Sequence, residues 1–170
     1  QMKDVVASSA RSKPVASNKT YDVSIIGSGP AGVSAAIYAA RKGLEVLLIG
    51  DRIGGQVRDT MDIENLISNI KTTGPRLSTD LESHLQEYEN ITIRKFIKVK
   101  QVTAGPPHML HLETGEKIKT KTIILTTGAK WRELNVPGEK EYLGKGVAYC
   151  PHCVGPLFKG KDVAVIGGGN

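Results

Sequence analysis

The chain has 170 residues, 39% hydrophobic and 24% charged, and its 23 Lys and Arg against 17 Asp and Glu give a formal net charge of +6. These proportions are typical of a globular domain, and no apolar run approaches the roughly 18 residues that a membrane-spanning helix needs. Aromatic residues make up only 5%, so the scattered lysines lack the stacking partners of a nucleic-acid site. We therefore expect neither a membrane span nor nucleic-acid binding.

Residues 1–20 are rich in Ser, Ala and Lys and contain neither a sustained hydrophobic period nor the apolar stretch of a secretion signal. They predict a flexible linker. The chain has only two cysteines, too few for a disulfide scaffold. Both observations favour a reducing, cytoplasmic location.

The first ordered elements are predicted from Tyr21 onward. A short β-branched run, 23–26, predicts a buried strand, and a pattern of small and apolar residues over 30–42 predicts a helix that stops at Gly43. A second apolar strand is expected over 44–49. A strand, a helix and a strand within about 30 residues form a βαβ unit, which implies two parallel strands joined by a right-handed crossover.

The remaining elements are shorter. Apolar residues at helical spacing predict a second helix over 76–89, and the residues after it predict a strand over 91–93. Three alternating segments separated by glycine-containing turns then predict an antiparallel meander. A fresh strand is expected near the end of the sequence. The segments of the meander are 96–103, 108–113 and about 117–126, and the last strand is 163–166.

The turn between the first strand and the first helix carries a G-x-G-x-x-G motif. Its glycines permit a tight turn, the approach of a pyrophosphate to the backbone, and close packing of helix on strand, while the helix N-terminus favours the phosphate charge. The alternative is a glycine-rich connector without a ligand. Asp51, just after the second strand, is the candidate ribose ligand or else a solvated loop acid. The motif consists of Gly27, Ser28, Gly29, Pro30, Ala31 and Gly32.

A second motif, Cys150-Pro151-His152-Cys153, places two thiols at the spacing of a redox-active pair. A helix N-terminus and an imidazole nearby would lower a thiol pKa and favour the thiolate. The alternative is half of a zinc site. Completing that site would require His84, His108 or His111, and the last two are expected on the surface of the meander. We favour redox chemistry over metal binding.

A second glycine cluster follows the last predicted strand. An apolar strand that runs into Gly167 and Gly169 is typical of the start of another nucleotide-binding unit. The helix that would receive the phosphates does not follow within these 170 residues. We therefore expect this second nucleotide site to be incomplete in this chain.

These motifs, in this order, resemble the low-molecular-weight thioredoxin reductases and, more closely, the peroxiredoxin-reducing flavoproteins that form the F component of alkyl hydroperoxide reductases. The resemblance covers residues 21–170 without an obvious gap. It rests on the glycine motif, the Cys-x-x-Cys motif, and the segments Gly54-Gly55-Gln56, Ile63-Glu64-Asn65, 127–132, 135–139 and Gly167-Gly168-Gly169-Asn170.

The resemblance implies an α/β fold: a Rossmann-like FAD-binding βαβ domain with an antiparallel meander, plus the truncated start of an NAD(P)H-binding domain. It implies a linker over 1–20, the first part of the FAD domain over 21–137, and the incomplete second domain over 138–170. Electrons would pass from NADH or NADPH to FAD and then to the cysteine pair. The flavin nucleotide would be lined by the glycine motif, Asp51, Gly55, Gln56, Asn65, Thr127 and Gly128.

The same resemblance assigns roles to the cysteines and to partners. Cys153 would face the flavin, and Cys150 would attack the next disulfide. The partner would be a peroxiredoxin, reached through thioredoxin-like N-terminal domains, and the intact protein would form a homodimer. Thioredoxin reductase and a non-catalytic nucleotide- or zinc-binding module are the alternatives.

One residue departs from the family pattern, and the second domain is cut short. In the family, the residue after the second cysteine is usually Asp, which acts as an acid during thiol–flavin exchange. Here it is Val154, whose side chain cannot transfer a proton. His152 is the nearest residue that could replace it. Because the second nucleotide site is incomplete, we expect that this chain alone does not turn over NAD(P)H.

Overall fold

The computed structural model describes residues 19–150 and 155–167. The chain divides into two compact units, Gln1–Gly128 and Ala129–Asn170. Most of the predicted linker, and His152, Cys153 and Val154, therefore lie outside the described residues. The predicted boundary between functional domains at 137/138 stays a prediction. Among the described residues, none of the helices has the length and hydropathy that a membrane span requires.

The predicted βαβ unit is confirmed. Strand β1 (Thr20–Ile26) leads into helix α1 (Pro30–Arg41) and then into strand β2 (Val46–Ile49), which pairs in parallel with β1. The helix ends where the sequence predicts, because the N–H groups of Lys42 and Gly43 donate to carbonyl oxygens of the last turn and Gly43 adopts φ 77°. This left-handed conformation is nearly free of strain only in glycine.

The segment after β2 contains a 3-10 helix (Gly55–Asp59), helix α2 (Gly74–Gln86) and strand β3 (Ile91–Arg94), which pairs in parallel with β2. Helix α2 begins two residues before the predicted start because the Thr73 side chain accepts a hydrogen bond from the Arg76 N–H, 3.3 Å long. A threonine in this position satisfies one of the N–H groups that have no partner within the helix.

The predicted meander is also confirmed. Strands β4 (Val99–Thr103), β5 (His108–Leu112) and β6 (Lys117–Leu125) pair antiparallel in chain order. The prediction of strand from residue 96 was wrong at its start: Phe96 has φ 58°, which a strand does not allow, and its N–H donates to the Asp51 carbonyl.

The nine residues of β6 join the two halves of the sheet. Its first part pairs with β5, whereas residues along most of its length also pair in parallel with β1, giving one six-stranded sheet in the order β3-β2-β1-β6-β5-β4. Along β6, exposed lysines alternate with the buried Ile118 and Thr120, as predicted for a half-buried strand. Strand β1 is therefore central and has a parallel neighbour on each side.

Two apolar clusters stabilise this unit. One lies under α1 and α2 and includes Ile25, Leu48 and Leu85; the other combines Leu47 and Ile49 with residues of the meander. The meander residues in the second cluster are Leu110, Leu112 and Ile118. Since successive strand residues point to opposite faces, the two clusters cover the two faces of the parallel strands.

A half-buried ion pair connects β3 to the start of β6. The two guanidinium nitrogens of Arg94 donate to the two carboxylate oxygens of Glu116 at 3.1 and 2.8 Å. We expect Glu116→Gln to lower the free energy of unfolding by about 1 kcal/mol, because the pair is bidentate and partly shielded from water. Urea unfolding measures this. The matched control is Glu64→Gln, whose pair with Lys71 is 64% exposed on both sides and should change stability by less than about 0.5 kcal/mol.

The second unit contains a parallel bridge between Leu143 and Val147 and a 3-10 helix at Gly155–Phe158. The prediction of a strand over 163–166 was wrong: residues 162–167 form no regular structure, and Val163, Val165 and Ile166 are 64%, 83% and 71% exposed. A strand leaves its backbone groups unpaired unless a neighbouring strand bonds to them, and none among the described residues does so here.

Candidate functional site

The G-x-G-x-x-G turn lies at the carboxyl end of β1, between the ends of its two parallel neighbours. The chain leaves β1 toward α1 and β2 on one side, while β6 arrives on the other side from the meander. Loops that follow β1, β2 and β6 therefore meet at one edge of the sheet. In an open α/β sheet, ligands bind at this edge, outside the carboxyl ends of the strands.

The first and third glycines of the motif fill packing roles. Gly27 has φ 114°, and a Cβ atom on it would overlap the Thr126 carbonyl. A Cβ on Gly32 would overlap the Gly27 carbonyl oxygen and lie 2.8 Å from the Thr126 hydroxyl oxygen. Helix α1, β1 and the end of β6 consequently touch at backbone distance. Sequence reasoning missed Thr126 as part of this contact, since it lies about 100 residues from the motif.

The middle glycine differs from the other two. A Cβ on Gly29 would meet nothing within 4 Å, and its φ of −71° is open to any residue. Gly29 is the residue before the first turn of α1, it caps the helix with no side chain, and the first turn contains no acidic residue. The N–H groups of that first turn have no partner within the helix and carry its positive partial charge.

The loop after β2 is tied to the glycine turn by Ser28. Its hydroxyl donates to the Arg52 carbonyl at 2.8 Å, and its carbonyl accepts from the Gly54 N–H at 2.9 Å. Gly50 leaves the space that Ser28 occupies, since a Cβ there would overlap the serine hydroxyl. A Cβ on Gly55 would lie 3.2 Å from the Gly29 Cα. Gly55 therefore packs directly against the backbone of Gly29, where a side chain would be crowded.

The other predicted nucleotide ligands lie in three further segments, of which only some contact the glycine turn. Asp51 is exposed in the loop after β2 that Ser28 holds, and Gln56 is exposed in the 3-10 helix that follows this loop. Thr127 and Gly128 are exposed directly after the Thr126 contact. Asn65 is exposed in a loop closed by the Ile63–Thr72 bridge, and within the described ranges no hydrogen bond joins it to the glycine turn. The structure thus brings together the loops at 27–29, 50–56 and 126–128.

The second unit holds Cys150, which is half-buried, and Gly167, which is exposed with φ 99°. Gly169, His152 and Cys153 lie outside the described residues. His108 and His111 are half-buried on β5, where His111 Nε2 lies 2.9 Å from the Thr103 hydroxyl oxygen and His108 Nδ1 accepts from the Gly105 N–H. No group of three or more potential metal ligands lies close together in the described part of the chain.

Glu139 is a buried carboxylate that contacts Tyr149, the residue before Cys150. Glu139 is 4% exposed; Oε1 accepts from the Leu134 N–H at 2.8 Å and the Tyr149 hydroxyl at 2.7 Å, and Oε2 accepts from the Asn135 N–H at 2.6 Å. The Tyr149 hydroxyl bond is the main cause that lowers the pKa of Glu139, and backbone N–H bonds add to it. Sequence reasoning included Glu139 only in the segment 135–139 of the family resemblance and gave it no role in a site; the local signal is a carboxylate directly after a Pro-Gly turn.

The contact with Glu139 raises the pKa of Tyr149 to about 12, above its ordinary value of 10.0. Between pH 10.0 and about 12, the Tyr149 hydroxyl therefore keeps its proton in the folded chain but loses it in the unfolded chain. The contribution of the contact to stability is complete between pH 4.5 and pH 10.0, the ordinary pKa values of the two groups. It is lost as pH rises through the raised pKa of Tyr149, and it is lost in acid as pH falls through the lowered pKa of Glu139.

We expect a phenolate titration near pH 12 to disappear in Tyr149→Phe and to move back toward 10.0 in Glu139→Gln. Ultraviolet difference spectra against the Tyr149→Phe protein isolate this residue among the five tyrosines. A difference spectrum in which Tyr149 titrates near pH 10.0 would contradict the contact.

Comparisons with known proteins identify the family of this chain. The family model described as "Pyridine nucleotide-disulphide oxidoreductase" matches residues 21–170. The chain is 55% identical to "NADH dehydrogenase" of Bacillus subtilis over 91% of this chain and 30% of that protein. It is 50% identical to the F component of alkyl hydroperoxide reductase from Pseudomonas putida over 98% of this chain and 32% of that protein.

Among solved structures, the thioredoxin reductase of Streptococcus pyogenes matches with a TM-score of 0.72 and 40% identity, covering 83% of this chain and 46% of that one. This match confirms the Rossmann-like α/β fold. The chain spans about a third of the length of the curated relatives named above, so activity, substrates and partners of those proteins are not transferred with the fold. Sequence and fold together establish that the chain belongs to the pyridine nucleotide-disulphide oxidoreductase family.

Proposed function

We propose that this chain forms part of a flavin-dependent disulfide reductase that passes electrons from NAD(P)H through FAD and the Cys150–Cys153 pair to a peroxiredoxin. The observation that carries the proposal is the open backbone at Gly29, the N-cap of α1, at the edge where the loops after β1, β2 and β6 meet. A dinucleotide diphosphate fits such a turn because no side chain blocks its approach to the N–H groups.

The residues around the turn suit an FAD diphosphate and ribose. No neighbouring atom lies where a Cβ on Gly29 would stand, and the absence of an acid in the first turn of α1 avoids repulsion of the phosphates. Asp51 is exposed in the adjoining loop, where its carboxylate would accept hydrogen bonds from a ribose. Gln56, Thr127 and Gly128 would line the remainder of the site, and Asn65 would have to approach from its own loop.

A bound flavin would supply the chemistry that amino-acid side chains lack, the acceptance of a hydride and the release of its two electrons to a disulfide. The chain itself would hold the diphosphate and carry the thiols. The reduced pair would transfer electrons by exchange: the Cys150 thiolate attacks a partner disulfide and releases one partner thiolate, and the Cys153 thiolate then attacks Cys150 and releases the other. The partner disulfide is reduced and the Cys150–Cys153 disulfide is restored.

The proposed partner is supported by the relatives. The relative from Pseudomonas putida, 50% identical over nearly the whole chain, is named for alkyl hydroperoxide reduction. A peroxiredoxin, reached through thioredoxin-like domains of a dimeric parent protein, would be the corresponding disulfide substrate. Thioredoxin is the second candidate, because the solved structure from Streptococcus pyogenes, 40% identical, is a thioredoxin reductase.

The visible absorption spectrum of the purified chain, with and without added FAD, tests the flavin proposal. We expect the flavin bands to co-elute with the protein on gel filtration after FAD is added. Chain that excludes FAD but contains stoichiometric zinc would overturn the proposal in favour of a zinc-binding module. The disulfide partner is then tested by mixing dithiothreitol-reduced, desalted chain with an oxidised peroxiredoxin or with oxidised thioredoxin and measuring which loses its disulfide faster.

A further inference from the structure

The carboxylate of Glu139 lies buried with only neutral donors around it. Two backbone N–H groups, those of Leu134 and Asn135, and the Tyr149 hydroxyl point at it, and within the described ranges no Lys or Arg forms an ion pair with it. The nearby Lys140 pairs instead with Glu133, at 3.5 Å. A buried carboxylate satisfied in this way is costly to disturb, because losing a donor leaves a buried charge without a partner.

The turn that Glu139 closes has a fixed shape. Asn135 has φ 58°, a conformation that asparagine tolerates better than most residues, and Gly138 has φ 86°. The Glu139 N–H donates to the Val136 carbonyl at 3.3 Å, while its carboxylate accepts from the start of the same turn. The turn and the carboxylate therefore hold each other in place.

Tyr149 is held at both ends of its side chain. Its hydroxyl donates to Glu139, and its ring lies nearly parallel to that of Trp131, at 11° and with 6.3 Å between centroids. Cys150 is the next residue, so its Cα lies one peptide bond, about 3.8 Å, from the Cα of Tyr149. A shift of the Tyr149 backbone would therefore also displace the half-buried Cys150.

We propose that Glu139 is a positioning residue for Cys150, acting through the Tyr149 hydroxyl. The inference rests on the proposed function, since it concerns thiol exchange at Cys150. That exchange needs the attacking sulfur in line with the disulfide it attacks, and a displacement of about 1 Å is enough to slow such a reaction strongly. The position of Cys150 also sets its effective concentration toward Cys153, and thus the equilibrium between dithiol and disulfide.

The test compares Glu139→Gln and Tyr149→Phe with the matched controls Glu141→Gln and Tyr142→Phe, which remove the same groups from exposed side chains of the same unit. Each 170-residue chain is equilibrated with glutathione buffers to measure its dithiol–disulfide equilibrium. The reduced chains are then mixed with Ellman's reagent, and the release of the second thionitrobenzoate, which follows attack of one cysteine on the mixed disulfide of the other, measures the rate of exchange within the pair. Emission of Trp131, the single tryptophan, reports the position of the Tyr149 ring.

We expect both site variants to slow exchange roughly tenfold or more and to shift the glutathione equilibrium in the same direction, with a changed Trp131 emission. The double variant should behave like either single one, because both remove the same contact. The controls should match wild type. Glu139→Asp should restore part of the rate.

Two outcomes overturn different statements. If wild-type chain exchanges thiols and both site variants exchange at the wild-type rate and equilibrium, the positioning role of Glu139 is wrong while the proposed function stands, even if thermal stability falls. If the wild-type cysteines do not form or exchange a disulfide at all, the proposed function fails first, and this inference fails with it.

Discussion

Alanine at Gly32 is expected to lower the free energy of unfolding by about 3 kcal/mol and to abolish FAD binding. The added methyl group would overlap the Gly27 carbonyl oxygen and crowd the Thr126 hydroxyl. Gly27 directly follows β1 and Thr126 directly follows β6, the two strands at the centre of the sheet, so relief requires α1 to move away from the strands. Urea unfolding followed by circular dichroism measures the loss, and FAD titration measures binding.

Gly29→Ala separates folding from binding. Because a Cβ at Gly29 meets nothing and its φ of −71° suits alanine, the change in stability should stay within about 1 kcal/mol, the usual difference between Gly and Ala at an N-cap. The methyl group would nevertheless stand where a diphosphate has to approach, and we expect FAD affinity to fall roughly tenfold or more. If a folded Gly29→Ala chain binds FAD with unchanged affinity, the diphosphate does not bind at this turn.

Truncation of Leu110 to alanine should destabilise the chain by about 2–5 kcal/mol. Leu110 is 0% exposed and lies in the apolar cluster that joins the meander to Leu47 and Ile49 of β2. The cost combines the lost transfer free energy of the side chain with the cavity that remains, and a two-state fit to urea unfolding gives it directly.

The control is Leu125→Ala, at the end of β6. Leu125 is 68% exposed, so its truncation should change stability by less than about 0.5 kcal/mol. Equal losses in the two variants would mean that the meander does not pack on the parallel strands through Leu110.

The local elements could be predicted from sequence because their causes are local. The βαβ unit follows from the β-branched run before Gly27, the small residues of α1 and the stop at Gly43, and the meander follows from alternation between turn residues. The parallel pairing of β1 with β6 could not be predicted in this way. It joins residues such as Val23 and Thr122, about 100 positions apart, and no periodicity encodes such a partner.

The candidate site divides along the same line. The packing at Gly27 and Gly32 and the open backbone at Gly29 follow from the spacing of the motif. The hydrogen bond from Ser28 to the loop after β2 and the burial of Glu139 depend instead on how distant segments pack. The prediction of a strand over 163–166 was wrong because it relied on local propensity alone. Its apolar run has strand propensity, yet a strand exists only where a neighbour accepts its backbone hydrogen bonds.

The place of β1 beside β6 has a consequence for how the chain is made. On the ribosome, residues 20–26 emerge roughly 100 residues before their partner at 117–125. During that time the edge of a nascent apolar strand is open to other nascent chains, and pairing of such separated segments is intrinsically slow. Synthesis must therefore proceed beyond β6 before the central strand is closed on both sides, which makes this interval the period when a chaperone or a neighbouring polypeptide can most readily capture it.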